Sequence, residues 1–248
     1  QAIATFAFGI RDAQGEFICE KVDLVTGPGN IYVAAAKRAL KGIIGIDSEA
    51  GPTEIAIIAD ESAYASDIAS DLISQAEHDK LAAAILITHS RQLIEDVQRE
   101  LVRRVSRTKH ESRIRAALTG KQSAMVLVRD LSQAAEIANA YAAEHLELIV
   151  ENPEVLSREI RNAGAVFLGR FSPVSLGDYS AGSNHVLPTG GCACHSSGLS
   201  VQTFLKGVSF ITYSERAFRE IATNVITLAQ AEDLPAHGEA IEARFEFK

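Results

Sequence analysis

Short apolar runs alternate along the chain with longer stretches in which apolar positions return at helical spacing. The runs at 22–25, 55–59, 84–87, 124–128, 146–150 and 166–168 predict buried strands. Between them the spacing predicts helices over 31–40, from the start signal Asp60-Glu61-Ser62 to about His78, and over 92–104, where Leu93, Val97 and Leu101 share a face. A polar connection at 105–112 leads to a short helix closed by Gly120. Further helices follow over 132–141 and from Pro153 to Asn162. Strand and helix alternating almost throughout imply parallel sheets covered by helices, an α/β fold. Residues 169–198 break the pattern with Gly, Ser, Pro and His, as functional irregular segments do. Helical spacing returns over 199–206, 214–230 and 236–245.

Composition narrows the class. The 248 residues suit one large domain or two small ones, with a net charge of −8, 47% hydrophobic residues and no tryptophan. A nucleic-acid binder would show a basic face, and here Arg99, Arg103 and Arg104 are interleaved with Glu95 and Glu100, so nucleic acid is not expected as a partner. No apolar run approaches the ~20 residues of a membrane helix. Three cysteines without framework spacing argue against a secreted disulfide scaffold, which makes the cytoplasm the expected compartment. The chain opens on Gln1 and an apolar stretch, as a sequence whose beginning lies elsewhere would.

Several segments could carry chemistry. Gln75 and His78, three apart at a predicted helix end, can face one target, although a terminal His also serves as a dipole partner. Glu144-His145 offers two adjacent bases of different pKa, or a pair that merely caps the preceding helix. The stretch 177–188 holds Asp178 and His185 in a glycine-punctuated loop that is either a site or ordinary surface. His237, after Pro235 and with Glu232 upstream, reads as a helix start. Gly27-Pro28-Gly29-Asn30 could approach a phosphate or ribose, but it lacks the dinucleotide fingerprint. Cys192-Ala193-Cys194-His195 lacks the second ligand pair of a structural zinc site, and His89 and His110 fall in polar surroundings.

Taken together, Gln1-Ala2-Ile3-Ala4, Gly27-Pro28-Gly29-Asn30, Gly45-Ile46-Asp47, Ala50-Gly51-Pro52-Thr53-Glu54, Gln75-Ala76-Glu77-His78, Glu144-His145-Leu146-Glu147, Gly177-Asp178-Tyr179, Asn184-His185-Val186-Leu187-Pro188-Thr189, Ser197-Gly198-Leu199-Ser200-Val201 and Ala236-His237 resemble the histidinol dehydrogenase family. The matches keep the family's order along the whole chain. Family members are considerably longer, so the resemblance is to their C-terminal portion. It implies incomplete doubly wound, Rossmann-like parallel-sheet domains with a C-terminal helical tail. Residues 1–52 would end a cofactor-side domain, 53–199 would form the zinc and substrate domain, and 200–248 would be a tail swapped in a homodimer. It further implies zinc held by Gln75, His78, Asp178 and, from the partner subunit, His237, all four also at the substrate. Glu144 and His145 would be catalytic. Thr53, where serine is common in the family, His185 and Glu232 would bind substrate, and Gln1 and Asn30 would lie on the NAD side. The implied reaction takes L-histidinol through the aldehyde to L-histidine with two NAD. A relative acting on another polar alcohol, such as a sulfonated diol, and an inactive metal-binding fragment are the competing readings.

Overall fold

A computed structural model describes residues 1–49 and 51–245; Ala50, part of one quoted segment, lies outside the described residues. The elements run α1 (Ala2–Phe8), β1 (Ile10–Arg11), β2 (Phe17–Cys19), β3 (Leu24–Val25), α2 (Ile31–Leu40), β4 (Gly45–Ile46), β5 (Glu54–Ala59), α3 (Ala65–Ala76), β6 (Ala83–Thr88), α4 (Arg91–Val105), α5 (Glu111–Leu118), β7 (Ala124–Leu127), α6 (Leu131–Tyr141), β8 (His145–Ile149), α7 (Pro153–Leu156), β9 (Ala165–Leu168), α8 (Val174–Tyr179), α9 (Glu215–Ala231) and α10 (Pro235–Glu242).

The expected α/β architecture is present. Five parallel strands form one sheet in the order β7-β6-β5-β8-β9. Its central strands β5 and β6 are apolar except for Glu54 and Thr88 at their ends, because helices cover both faces. On one face Ile55, Ile57, Leu86 and Ile149 pack against Ile68 and Leu72 of α3, Leu93 and Val97 of α4, and Val174 of α8. On the other, Ile58, Ile87, Leu146 and Leu148 pack against Ala134, Ala135 and Ala138 of α6 and against Leu156. The strand order reverses between β5 and β8, which makes the sheet doubly wound.

Residues 1–46 add a β1–β2 hairpin and a two-stranded parallel sheet of β3 and β4. A buried ion pair orders this region: Lys37 Nζ lies 2.5 Å from Asp47 Oδ1, with both side chains almost fully enclosed. Asp47 Oδ2 accepts the Gly27 N–H at 2.7 Å, and Lys37 also donates to the Gly27 carbonyl, so the pair pins the turn that leads into α2. Desolvating two charges is costly, and the pair stands because each charge has hydrogen bonds besides its partner.

The chain divides into two compact units, Gln1–Leu205 and Lys206–Lys248. The second consists of α9 and α10, with Phe218 and Phe245 rings 5.5 Å apart. Among the described residues no helix is long and apolar enough to cross a membrane.

Five expectations are corrected. The helix expected from Asp60 begins at Ala65, because the Asp60 carboxylate is diverted to the Ser62 N–H and hydroxyl and to the Glu151 N–H. That helix ends at Ala76, so His78 lies just beyond it. The helix expected to Asn162 stops at Leu156 and passes through one 3₁₀ turn. Buried Asn139 stops it by accepting the Arg161 and Asn162 N–H groups and donating to the Glu159 carbonyl. The irregular stretch 169–198 contains α8, and the helix expected over 199–206 is a 3₁₀ turn at Val201–Phe204.

Candidate active site

The candidate residues gather at the amino-terminal edge of the large sheet. A cleft of about 710 Å³ is lined there by Asn30, Thr53, His78, Glu144, His145, Asp178 and His185, among others. Thr53 immediately precedes β5, and Glu144 and His145 enter β8. The chain reaches that pair through Ala142, which adopts a left-handed conformation (φ 53°) to close α6. Gly164 makes the approach possible: a Cβ there would stand 2.5 Å from the Glu144 carbonyl oxygen.

His145 is buried, and its Nδ1 lies 3.0 Å from the Glu54 carbonyl oxygen. A carbonyl oxygen can only accept, so Nδ1 carries the proton and Nε2 is left as a base. Nε2 faces Asp178 at 3.9 Å. Burial pulls the His145 pKa down, against the opposing pull of the Glu54 carbonyl and Asp178, so the ring is held neutral.

Glu144 is also buried, at 7% exposure. Its Oε2 accepts the Thr53 hydroxyl at 2.5 Å and the Glu54 N–H at 3.0 Å. Burial nevertheless pushes its pKa up to about 7, with the nearby carboxylates of Glu54 and Asp178 adding to the rise. Two neighbouring bases are thereby tuned in opposite directions, one kept neutral and one poised near neutral pH.

The Thr53 hydroxyl that donates to Glu144 accepts in turn from the Gln75 amide nitrogen, and Gln75 is 2% exposed. Gln75 thus sits behind Thr53 rather than on the cleft wall. His78 and Asp178 are on that wall, His78 exposed and Asp178 half-buried. Asn30 also lines the cleft, and its Oδ1 caps α2 by accepting the Tyr32 and Val33 N–H groups. Gln1 is exposed and is not among the residues lining the cleft. Glu232 and His237 belong to the second unit, Glu232 capping the end of α9 and His237 exposed on α10. Among the described residues no three His, Cys, Asp or Glu side chains converge tightly enough to hold a metal ion.

Sequence reasoning missed two contributors. Glu54 acts through its backbone, binding Glu144 with its N–H and His145 with its carbonyl, roles that no side-chain motif announces. Gly177 lets α8 approach β9: a Cβ there would lie 2.7 Å from the Phe167 ring. That ring lies 6.1 Å from His145, centroid to centroid. Gly177→Ala should therefore cost about 1–3 kcal/mol by overpacking, despite the helical gain of alanine over glycine. Thermal denaturation should show a Tm lower by roughly 2–10 °C; an unchanged or raised Tm would mean that Phe167 yields freely.

Residues 1–245 match the model of the histidinol dehydrogenase family. The histidinol dehydrogenase of Cutibacterium acnes is 59% identical over 244 residues, which cover 98% of this chain and 56% of that protein. That of Mycobacterium tuberculosis is 58% identical over 247 residues, covering 99% of this chain and 55% of that protein. The crystal structure of histidinol dehydrogenase from Elizabethkingia anophelis superposes with a TM-score of 0.88 at 36% identity, over 99% of this chain and 55% of that one. The chain spans about half the length of the curated relatives it matches.

Proposed function

The chain belongs to the histidinol dehydrogenase family, and on that premise we propose that it forms the zinc- and substrate-binding part of an NAD-dependent enzyme that oxidises L-histidinol to L-histidine, in the last steps of histidine biosynthesis. The observation that carries this reading is the buried Glu144-His145 pair, with opposed pKa shifts, on the same cleft as His78 and Asp178.

His145 Nε2 takes the proton of the substrate alcohol as hydride leaves for the cofactor. Glu144, as carboxylate, then draws a proton from water adding to the aldehyde, and a second oxidation yields the acid. The Thr53 hydroxyl holds Glu144 in place, and Gln75 holds Thr53. His185 and Glu232 would meet the polar ends of the substrate. Bound NAD would supply the hydride acceptor, and Gln1 and Asn30 would lie on its side of the cleft.

The donor chemistry suits zinc. His78 and Asp178 are ordinary zinc ligands on one wall, and Gln75 can offer its amide oxygen. The set is incomplete within one unit, which fits a site finished by His237 of a second copy in a homodimer with a swapped tail (200–248). When bound, the metal would orient the substrate's amino and imidazole nitrogens. The reading further places 1–52 at the end of a cofactor-side domain and 53–199 in the zinc and substrate domain, in a cytoplasmic enzyme.

The test is NADH release from L-histidinol, with zinc content measured on the same protein. A full-length version should release NADH and hold about one zinc per chain, and His78→Ala should lose most of that metal. The 248-residue chain alone should turn over poorly, since it spans only about half the length of its relatives. Turnover of a sulfonated diol in preference to L-histidinol would overturn the choice of substrate.

A further inference from the structure

Glu54 opens β5, and the five positions after it are buried and apolar. Its N–H and carbonyl hold Glu144 and His145, and neither contact uses the side chain. The carboxyl is engaged elsewhere. Its Oε1 accepts the Gly190 N–H at 3.0 Å, and its Oε2 is buried without a donor among the described residues. Gly190 ends the segment that follows His185. Val186, Leu187, Pro188 and Thr189 are buried, and His185, Val186 and Leu187 line the cleft together with Glu144 and His145. Leu187 is wedged between two backbones: a Cβ at Gly164 would lie 3.1 Å from its Cβ, and one at Gly198 would lie 2.7 Å from its Cδ2. Beyond it, the Thr189 hydroxyl accepts the Gly51 N–H at 2.6 Å and donates to the Glu49 carbonyl at 3.4 Å. Gly190 and Gly191 then take positive φ, 63° and 79°, so the chain turns away just past the bond to Glu54.

One residue thereby reaches both sides of the cleft. Its main chain holds the Glu144-His145 pair, and its side chain holds the end of the segment headed by His185. We propose that Glu54 is a positioning residue through its carboxyl, which pins residues 186–190 and so sets the distance of His185 from the catalytic pair. The inference deepens the proposed function and rests on it for the role of His185 at the substrate.

The geometry also fixes what a substitution can disturb. Changing the side chain leaves the Glu54 N–H and carbonyl in place, so Glu144 and His145 keep their main-chain partners. Gly190 is exposed, so water can replace a lost carboxyl oxygen. Loss of the pin should therefore appear as looseness of 186–190 and weaker substrate binding, with the sheet intact.

The test compares Glu54→Leu, which fills the space but accepts nothing, with Glu54→Gln, which keeps an oxygen for the Gly190 N–H. Amide hydrogen exchange on the 248-residue chain needs neither substrate nor cofactor. In Glu54→Leu, exchange at Gly190 should rise by roughly three- to tenfold while β6 stays protected, and Glu54→Gln should restore the wild-type rate. In a full-length version, Glu54→Leu should raise KM for L-histidinol by about tenfold or more, with a smaller fall in kcat, and Glu54→Gln should return KM to within about threefold of wild type. A residue that only filled space would lower Tm without this split and would favour leucine over glutamine. Should Glu54→Leu fail to fold, Glu54→Met, unbranched and without an oxygen, carries the same expectations. Wild-type exchange at Gly190 in the leucine or methionine variant, an unchanged KM, or a glutamine variant as impaired as leucine overturns the pin. Histidinol turnover by the wild type together with unaltered exchange in the variants would remove the pin alone. If the wild type does not oxidise histidinol, the proposed substrate falls, and the exchange result still decides the pin.

Discussion

In a full-length version of the protein, His145→Asn should lower kcat for L-histidinol oxidation by ~10³-fold, with KM moved by less than about threefold. Asparagine can keep an N–H directed at the Glu54 carbonyl that now receives Nδ1, so the buried position stays filled and bonded. What is lost is the Nε2 lone pair facing Asp178. An interaction used only in the transition state should lower kcat and kcat/KM together, which steady-state NADH release measures directly. The wild-type ring should stay active as a base below the usual histidine range, because burial holds its pKa down. A His145→Asn enzyme within about tenfold of wild type would assign the base elsewhere.

The second large effect belongs to Glu144. With a pKa near 7, its carboxylate form grows as pH rises through neutrality, so the aldehyde-oxidising half of the reaction should accelerate over that range. Glu144→Gln should remove this limb and slow aldehyde oxidation by ~10²–10⁴-fold, while leaving the first oxidation far less affected. The NADH yield per histidinol should then fall from about two towards one in a single-turnover experiment. Stability should move in the opposite sense with pH. A carboxyl whose folded pKa is raised contributes stability that is full below its ordinary value, near 4.5, and is lost as pH rises through about 7. Glu144→Gln should flatten that slope in pH-dependent thermal melts. An unchanged NADH yield would show that a different group activates water.

The parallel strands were legible because burial on both faces leaves them mostly apolar: β5 and β6 read as apolar runs, and β8 as one interrupted by Glu147. Two of the breaks in legibility involve a side chain recruited at long range. Asp60 spends its carboxylate on Glu151 and delays α3, and Asn139 captures residues 161 and 162 and ends a helix early. No local window contains both partners. Helix α8 was hidden because Pro173 and Gly177 read as turn residues, whereas Gly177 is there to clear the Phe167 ring. The Glu-His pair was visible as chemistry, but the tautomer of His145 was not, because it depends on a main-chain carbonyl that any residue would supply. Glu147 stood inside a quoted segment as an acid in an apolar run, a signal that its bond to the distant Val174 N–H makes intelligible.

The placement of the cleft at the strands' amino ends has an electrical consequence. Chains arriving there come off the carboxyl ends of α3 and α6, where helix dipoles leave partial negative charge, and Glu54, Glu144 and Asp178 deepen it. The amino end of α2, its positive pole, lies behind Asn30, which also lines the cleft. On the proposed reading the slot would act as a small capacitor, drawing an ammonium or imidazolium head towards Glu144 and turning a phosphate towards Asn30.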